Sequence, residues 1–360
     1  MLKENEILQK LTENLKSLFE STGVISLKNI IRETSNLFPG QKDKPDLVAE
    51  VITRDNKKFM LVFEVKSLGQ PRYARLAISQ LKDFLEGKEN AYGIFVSAFI
   101  SEESRRECQK NGVGYIDLAG NCLLNFENIF INIDGRPNPY PESRPLKSIF
   151  SARSSRAIRV LLCNPGKEWT LSELSKEAII SLGQAFSVKK RLLDYELIKE
   201  EGKGKNMRFR LVSPEQLLKK WADNYDFRKN KIWNFYSFDD VEKAEKKLAE
   251  YLGENNILYG FTLTSGASLL APFVRYTRVY IYVKNNIEKI AADLNLKQVS
   301  TGPNVTILEP YDEGVFYGLQ EVKGMKVVSD VQLYLDLKSY KERGEEAASF
   351  ILEQRLRKRW

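Results

Sequence analysis

The chain has 360 residues, of which 42% are hydrophobic and 29% charged, a length and composition typical of two or three globular domains. It contains no histidine, which excludes Ser-His-Asp and Cys-His triads and histidine-ligated zinc. Cys108, Cys122 and Cys163 have no C-x-x-C spacing, so neither a disulfide framework nor a thiolate zinc site is indicated. Any catalysis would therefore use carboxylates, lysine, tyrosine or a hard metal ion bound through oxygen.

The hydrophobic residues are not concentrated in a membrane segment. The sequence has no run of 18 apolar residues, so we expect neither a membrane span nor a membrane partner. The first residues, MLKENEILQKLTENLKSLF, alternate charged and apolar side chains at helical spacing, whereas a signal peptide has a continuous apolar stretch. These features predict a cytoplasmic protein.

Positive charge is concentrated in the middle of the chain. The net charge is +8, and residues 1–150 carry 21 Lys and Arg against 20 Asp and Glu, while residues 232–360 carry 17 against 18. Residues 151–231 carry 18 against 10, which is the whole surplus. A local basic surface of this kind is typical of nucleic-acid-binding modules, although a solvated charged face gives the same count.

The first part of the chain predicts a helix followed by a β-β-α-β arrangement. Pro45 and Asp46 precede a strand, LVAEVIT, and a second strand, KFMLVFEVKS, follows after a short turn. Glu64 and Lys66 are two residues apart, so they share one face of that second strand. A helix from about Arg72 to Leu85 and a strand, AYGIFVSA, come next, and the crossover should be right-handed.

These residues resemble the motif of the PD-(D/E)XK nuclease superfamily, with Pro45, Asp46, Glu64, Val65 and Lys66 at the matching positions. The resemblance implies a restriction-endonuclease-like α/β domain over residues 1–135, with Mg²⁺ or Mn²⁺ as the metal. It implies metal ligation by Asp46, Glu64 and Val65. It also implies catalytic roles for a set of four residues, which are Asp46, Glu64, Lys66 and Gln80.

The chemistry explains these residue types, because two carboxylates can hold Mg²⁺ while a lysine positions or deprotonates water beside the phosphate. The resemblance also implies an additional acid from the first helix, for which Glu20 or Glu33 is a candidate. Asp117, in GVGYIDLAGN, is either a third ligand or, as we prefer, a side chain that stabilises a turn. The alternatives are a simple ion pair between Glu64 and Lys66, or a nuclease fold that only binds DNA.

Residues 136–150 include a proline-rich run and predict a linker, after which residues 151–231 predict three helices. The first helix begins at Ser154 and stops at Pro165-Gly166, and the second has a capping box in Thr170 and Glu173. The third begins near Ser181, with four residues predicted to point inward, Leu182, Ala185, Val188 and Leu192, and four to point outward, Gln184, Ser187, Lys190 and Arg191.

A hairpin follows the third helix. Its strands begin at Leu197-Ile198 and at Met207, and the glycine-rich turn GKGKN between them carries Lys203 and Lys205. Alternation places Arg208 and Arg210 on one face of the second strand. This order resembles bacterial winged-helix regulators, and we call residues 151–231 the winged-helix segment. It predicts double-stranded DNA binding through eight residues, namely Gln184, Ser187, Lys190, Arg191, Lys203, Lys205, Arg208 and Arg210. The alternative is a winged helix that contacts protein.

Residues 232–360 predict a C-terminal α+β domain. A nucleotidyltransferase needs paired carboxylates on the strand after its Gly-Ser turn, but Ser265-Gly266 is followed by Tyr280 and Tyr282, so nucleotidyl transfer is not expected here. The stretches VVSDVQLYLDLKSYKERGEEAASFILEQRL, TSGASLLAPF and EVKSLGQPRY resemble AbiEi-like antitoxin regulators of type IV toxin–antitoxin systems. That resemblance implies a winged-helix repressor with a nucleotidyltransferase toxin as partner. A dimerisation domain, which would give a homodimer, or a ligand-sensing domain is the alternative.

Three functions follow from these patterns. The leading hypothesis is a DNA-binding regulator of the AbiEi kind whose nuclease-like domain adds DNA affinity or metal-dependent cleavage. The second is an active Mg²⁺-dependent endonuclease that its winged helix targets to DNA. The third is a non-enzymatic antitoxin that acts through protein contacts.

Overall fold

A computed structural model describes residues 2–32, 37, 44–140, 146–271, 276–340 and 344–360. The chain forms two compact units. The N-terminal unit is Met1–Pro145 with Asp194–Glu196, and the C-terminal unit is Leu146–Leu193 with Leu197–Trp360. Across the described residues, no helix combines the length and apolar character required to cross a membrane.

The N-terminal unit contains one mixed sheet with helices on its faces. Its elements are α1 Glu4–Thr22, β1 Ile25–Ile31, β2 Leu47–Thr53, β3 Lys58–Val65, α2 Pro71–Leu85, β4 Ala91–Ser97, α3 Glu102–Lys110, β5 Gly114–Asp117, β6 Cys122–Phe126 and β7 Ile129–Ile133. The seven described strands lie in chain order, with β3, β4 and β5 parallel and the other pairs antiparallel. The predicted β-β-α-β order is confirmed in β2, β3, α2 and β4.

Alternation along β3 explains how this sheet is covered on both faces. Phe63 and Val65 belong to the core that includes the stripe Ile7, Leu11 and Leu15 of α1. Val62, on the other face, belongs to the core that includes the buried residues of α2. Because β3, β4 and β5 are parallel, their carboxyl ends lie along one edge of the sheet. Polar residues that end these strands are therefore brought to a common edge.

The winged-helix segment has the predicted order of three helices and a hairpin. A 3₁₀ turn at Leu146–Phe150 ends the predicted linker, of which residues 141–145 lie outside the described part of the chain. The elements that follow are α4 Ala152–Cys163, α5 Leu171–Glu177, α6 Leu182–Asp194, β8 Ile198–Glu201, a 3₁₀ turn Gly204–Asn206 and β9 Arg208–Leu211. β8 and β9 are antiparallel, and an isolated bridge pairs Trp169 with Phe209 of β9.

The inward-facing residues of α6 are predicted correctly with one exception. Ala185, Val188 and Leu192 are buried, whereas Leu182 is 55% exposed, so its predicted inward position is wrong. At 100° per residue, Leu182 lies about 90° around the helix from the centre of the stripe formed by the other three. It is also the first residue of the helix.

The remainder of the C-terminal unit is a second mixed sheet with helices, in agreement with the predicted α+β class. Its elements are α7 Pro214–Ala222, a 3₁₀ turn Phe227–Lys229, β10 Lys231–Tyr236, α8 Val241–Glu254, β11 Tyr259–Phe261, α9 Leu263–Leu270, β12 Val279–Val283, α10 Ile287–Asp293, β13 Lys297–Gln298, β14 Val305–Glu309, a 3₁₀ turn Glu313–Phe316, β15 Gln320–Val322, β16 Met325–Val327, α11 Asp330–Ser339, α12 Gly344–Ile351 and a π-helical turn Leu352–Leu356. The described strands have the order β13-β10-β14-β12-β11-β16-β15.

A buried polar network lies at the centre of the C-terminal unit. The carboxylate of Asp336 on α11 accepts hydrogen bonds from the Tyr225 hydroxyl at 2.6 Å, the Tyr282 hydroxyl at 3.0 Å and the Gln332 amide at 2.9 Å. Thr262 donates to its other oxygen. Burial raises the pKa of Asp336, and these four donors oppose that shift. The network therefore holds a carboxylate that water does not reach.

Arg159 joins the winged-helix segment to this network. It is 1% exposed on α4, its guanidinium lies 4.9 Å from the centre of the Trp221 ring, and its Nη2 donates to the Gln332 side-chain oxygen. Arg156, one turn earlier, donates from Nε to both oxygens of Asp312 at 2.9 and 3.0 Å. Both predicted domains beyond residue 150 thus lie in one compact unit with shared interior contacts.

Replacement of Asp336 tests how much this network contributes to the stability of the C-terminal unit. In Asp336→Ala the four donors lose their acceptor, so we expect the C-terminal unit to lose about 3 kcal/mol or more of unfolding free energy. Asp336→Asn keeps one acceptor oxygen and should lose clearly less. Thermal and urea unfolding of the full chain, followed by tryptophan fluorescence, measures both. Equal stability of the alanine variant and the wild type would contradict a structural role for the network.

Candidate functional site

The structure brings Asp46, Glu64 and Lys66 together at the carboxyl end of β3. Asp46 directly precedes β2, its main-chain N–H donates to the Phe63 carbonyl at 3.1 Å, and its Oδ2 accepts from the Val65 N–H at 2.7 Å. Glu64 lies in β3, and the Lys66 ammonium donates to Glu64 Oε1. The spacing of two residues thus places both side chains on one face, as predicted.

Burial determines the charge state of this cluster. Glu64 is 3% exposed, and its Oε2 has no hydrogen-bond partner among the described residues. The pKa of Glu64 is raised to about 7, chiefly by burial and also by the Asp46 charge, while Lys66 opposes this shift. The pKa of Asp46 is also raised by burial, which the Val65 N–H and Lys66 partly offset. The site therefore holds two carboxylates in an environment that disfavours their ionisation.

The acid that the first helix contributes is Glu4, which the sequence analysis missed. Its Oε1 accepts a hydrogen bond from the Ser67 N–H at 3.1 Å, and its charge raises the pKa of both Asp46 and Glu64. Glu20 lies 16 residues further along α1, about 24 Å away at 1.5 Å per residue, beside Lys16. Glu20 is therefore not part of this cluster, and Glu33 lies outside the described residues.

The other predicted residues of this unit have different environments. Gln80 is half-buried in the third turn of α2, and no described hydrogen bond joins it to Asp46, Glu64 or Lys66. The Val65 side chain lies in the core, so only its main-chain carbonyl is a possible ligand. The Asp117 carboxylate accepts from the N–H and the side-chain amide of Asn121, which is the turn-stabilising arrangement that we preferred for it.

The donor set fits a hard divalent cation such as Mg²⁺. Glu64 Oε2 is a buried acceptor without a donor, and the second carboxylate, Asp46, is close enough to shift the Glu64 pKa. Among the described residues, no group of three or more acidic or cysteine side chains is placed to hold a metal. A divalent cation here would have two carboxylates as its side-chain ligands, and hard oxygen donors of this kind suit Mg²⁺.

The predicted DNA-binding residues of α6 divide into two groups. Gln184 and Ser187 are engaged locally: the Gln184 side chain accepts from the Ser181 N–H at 3.1 Å, and the Ser187 hydroxyl donates to the Gly183 carbonyl at 2.9 Å. Lys190 is exposed and Arg191 is half-buried. The outward face of the helix therefore differs from the predicted polar one.

The cations of the hairpin lie on its surface. Lys203 is exposed, and the side chain of Lys205 lies outside the described part of the structure. Arg208 and Arg210 share the exposed face of β9, as predicted, where they lie 3.5 Å from Glu173 and 3.7 Å from Glu201 respectively. Exposed ion pairs of this kind contribute little free energy, so both guanidinium groups can exchange a carboxylate for a phosphate.

Three exposed apolar residues near the start of α6 were also missed. Ile179 is 78% exposed, and Leu182 and Phe186 are each 55% exposed. Leu182 and Phe186 are four residues apart in one helix and so are neighbours on its surface. The sequence signal was present in this spacing, but Leu182 was assigned to the buried stripe, while Phe186 and Ile179 were not assigned.

The Ser265-Gly266 pair has a structural role. Ser265 Oγ accepts from the Tyr280 N–H at 2.8 Å, and a Cβ on Gly266 would lie 2.9 Å from the Phe261 carbonyl oxygen. Tyr282 donates to Asp336 in the buried network. The strand β12, VYIYV, presents no carboxylate, as the sequence predicts.

Comparison with solved structures finds partial similarities over the N-terminal region. A repair endonuclease from Pyrococcus abyssi is 21% identical with a TM-score of 0.24, and the match covers 33% of this chain and 47% of that one. An EndoMS–dsDNA complex is 19% identical with a TM-score of 0.25, covering 32% and 44%. EndoMS in its apo form is 17% identical with a TM-score of 0.21, covering 30% and 45%. The chain thus spans less than half the length of these structures.

Comparison with protein families finds a match in the C-terminal part of the chain. No curated protein matches the chain. Residues 210–357 match the model of the family described as transcriptional regulator, AbiEi antitoxin, type IV toxin–antitoxin system. The predicted resemblance is therefore confirmed for this segment, which is similar to the AbiEi antitoxin regulators.

Proposed function

We propose that this protein is a DNA-binding transcriptional regulator of the AbiEi antitoxin kind, and that its winged-helix segment binds double-stranded DNA. The family match supports the regulator class. The observation that carries DNA binding is the position of the surplus charge: all of the net +8 lies in residues 151–231, where Lys190, Lys203, Arg208 and Arg210 are exposed. The antitoxin description makes a nucleotidyltransferase toxin the protein partner to test.

Charge distribution supports contact with the DNA backbone rather than with an acidic protein patch alone. The exposed cations belong both to α6 and to the hairpin, so they can meet phosphates on either side of a groove that the helix enters. The acidic neighbours Glu173 and Glu201 pair with them only at the surface. Phosphates would replace these carboxylates at low cost.

A second candidate function, metal-dependent DNA cleavage, is favoured by the cluster of Asp46, Glu64 and Lys66. Asp46 and Glu64 would hold Mg²⁺ or Mn²⁺, with the Val65 carbonyl as a further ligand. A bound metal of this kind polarises a phosphodiester and lowers the pKa of water. Lys66, which donates a hydrogen bond to Glu64, would orient water or compensate the charge of the phosphate.

The first prediction concerns salt dependence. Replacement of Lys190, Lys203, Arg208 and Arg210 by alanine should weaken DNA binding and reduce the slope of log K against log salt by about 3 to 4, at about 0.9 per lost phosphate contact. Fluorescence anisotropy with a labelled duplex, at about 25 °C and between about 50 and 300 mM salt, measures this slope of log K against log salt. A matched control replaces four exposed lysines of the C-terminal sheet and helices, Lys246, Lys289, Lys323 and Lys326, and should leave the slope unchanged. An unchanged slope in the first variant would indicate a protein-binding winged helix.

The second prediction concerns metal binding and pH. Burial raises the pKa of Glu64 to about 7, so protons compete with the metal below this pH. Affinity for Mn²⁺ should therefore be about tenfold higher at pH 8 than at pH 6, since the ionised fraction rises from about one in eleven to about ten in eleven. Calorimetry measures both constants. Glu64→Gln should bind poorly at either pH, and Asp55→Asn, at an exposed turn of the same unit, is the control. A wild-type affinity without pH dependence would contradict metal ligation by Glu64.

The third prediction concerns cleavage. With Mg²⁺ or Mn²⁺ the wild type should nick plasmid DNA, and Glu64→Gln or Lys66→Met should lower the rate by about 100-fold or more. Lys110→Met, which removes an exposed lysine of the same unit, should retain the wild-type rate. Gel electrophoresis of timed samples gives the rates. Cleavage at equal rates in all four proteins would contradict this second candidate function and leave the regulator proposal unaffected.

A further inference from the structure

The outward face of α6 carries exposed apolar side chains in the first turns of the helix. Leu182 and Phe186 are each 55% exposed and lie four residues apart, so they form one continuous stripe with the exposed Lys190, four residues further on. Ile179, in the turn before the helix, is 78% exposed. The N-terminal half of the exposed stripe is thus apolar, and its C-terminal half ends in a cation.

Polar side chains in the same half of the helix have local partners. The Gln184 amide oxygen accepts from the Ser181 N–H, while the Ser181 hydroxyl accepts from the Gln184 N–H at 3.2 Å, which together form a capping box. Ser187 donates to Gly183 within the helix. The large side chains that this half of α6 exposes are therefore Leu182 and Phe186.

The backbone at Ile179 supports a role outside folding. Its φ is +53°, and the Ile180 N–H donates to the Ser175 carbonyl at 3.0 Å, which is the helix-ending geometry that usually has glycine at the left-handed position. A β-branched residue is disfavoured there, and an exposed one gains almost nothing from packing. An unfavourable residue at an exposed position points to a function.

Charge complementarity identifies DNA as the occupant of this stripe. The stripe belongs to the segment that carries the whole +8 surplus, and the exposed cations Lys203, Arg208 and Arg210 lie on the hairpin of the same segment. The apolar group that base edges present in the major groove is the C5-methyl of thymine. The N-terminal residues of a recognition helix are those that reach base edges.

We propose that Leu182 and Phe186, with Ile179 beside the helix start, contact thymine methyl groups in the major groove and thereby select T-containing DNA sites. This inference rests on the proposed DNA binding of the winged-helix segment. It assigns specificity to apolar side chains, whereas Lys190 and the hairpin cations supply affinity that does not depend on sequence.

Removal of individual methyl groups tests the proposal directly. A preferred duplex is first selected from a randomised library with the full-length wild type, and each thymine is then replaced by uracil, which keeps base pairing and removes the methyl. At one or more positions we expect binding to weaken about fourfold, the loss of one buried methyl contact. Phe186→Ala should bind the selected duplex less tightly and should no longer distinguish uracil from thymine at a position that Phe186 contacts.

Ile179→Gly separates the functional role of this residue from a structural one. Glycine suits the left-handed backbone, so the melting temperature should stay equal or rise, while affinity for the selected duplex falls. Phe130→Ala, which removes a 68% exposed phenylalanine from β7 of the other unit, is the matched control and should change neither affinity nor uracil sensitivity.

The outcomes separate this inference from the proposed function. If Phe186→Ala retains salt-dependent binding to random DNA but loses thymine discrimination, the inference is supported. If no thymine responds to uracil, or if Phe186→Ala keeps full specific affinity and instead changes self-association, the inference is wrong while DNA binding stands. If the wild type binds no DNA, the proposed function and the inference both fail.

Discussion

The buried polar network that joins Arg159 to Asp336 through Gln332 is the interaction on which the interior of the C-terminal unit depends. The two side chains do not touch, because the Gln332 amide accepts from Arg159 and donates to Asp336. Either group alone would be costly in an apolar interior. Asp336 accepts from four donors, whereas Arg159 has the Gln332 oxygen and the Trp221 ring beside it, and its Nε and Nη1 have no hydrogen-bond partner among the described residues. Arg159 lies in the first helix of the winged-helix segment and Asp336 in α11, so this network is built from both parts of the unit.

The contacts of α4 bear on where a domain boundary can lie in the C-terminal unit. The family match begins at residue 210, inside β9 of the hairpin, and therefore excludes α4, α5 and α6. The interior contacts do not follow that boundary, since Arg156 and Arg159 of α4 bind partners on the far side of it. A fragment that begins at residue 210 would expose Gln332 and Asp312 without their arginines. The winged-helix segment is thus a structural part of the antitoxin-like region rather than an appended module.

Local patterns predicted most of the fold, and long-range contacts account for what they missed. The capping box of Thr170 and Glu173, the glycine-rich hairpin turn and the buried strands are encoded within a few residues, so the sequence predicts them directly. Asp336 is different because its donors Tyr225 and Thr262 are 111 and 74 residues away. No periodicity identifies such partners. The burial of Asp336 was therefore not predicted.

The candidate sites show the same division between local and tertiary information. Glu64 and Lys66 were predicted because strand alternation fixes their common face, whereas Glu4 was missed because only the packing of α1 decides which of its ends meets the strand edge. In α6 the buried stripe was predicted from a period of 3.6 residues. Leu182 satisfies that period at its margin, and the pattern cannot distinguish the edge of a core from an exposed recognition surface.

The two candidate DNA-binding surfaces, the winged-helix segment and the cluster at the end of β3, carry opposite charge. This difference determines whether each surface would attract or repel a phosphate. The winged-helix segment carries the whole +8 surplus, and a surface of that sign would attract phosphate without any cofactor. The cluster at the end of β3 contains Asp46 and Glu64 beside Glu4 against a single lysine, and the raised pKa values of both buried acids record their unfavourable ionisation. With its carboxylates ionised and no divalent cation bound, that cluster repels a phosphodiester. The proposed DNA affinity would therefore come from the basic segment, and contact of DNA with the acidic cluster would require that the charge of the cluster first be neutralised.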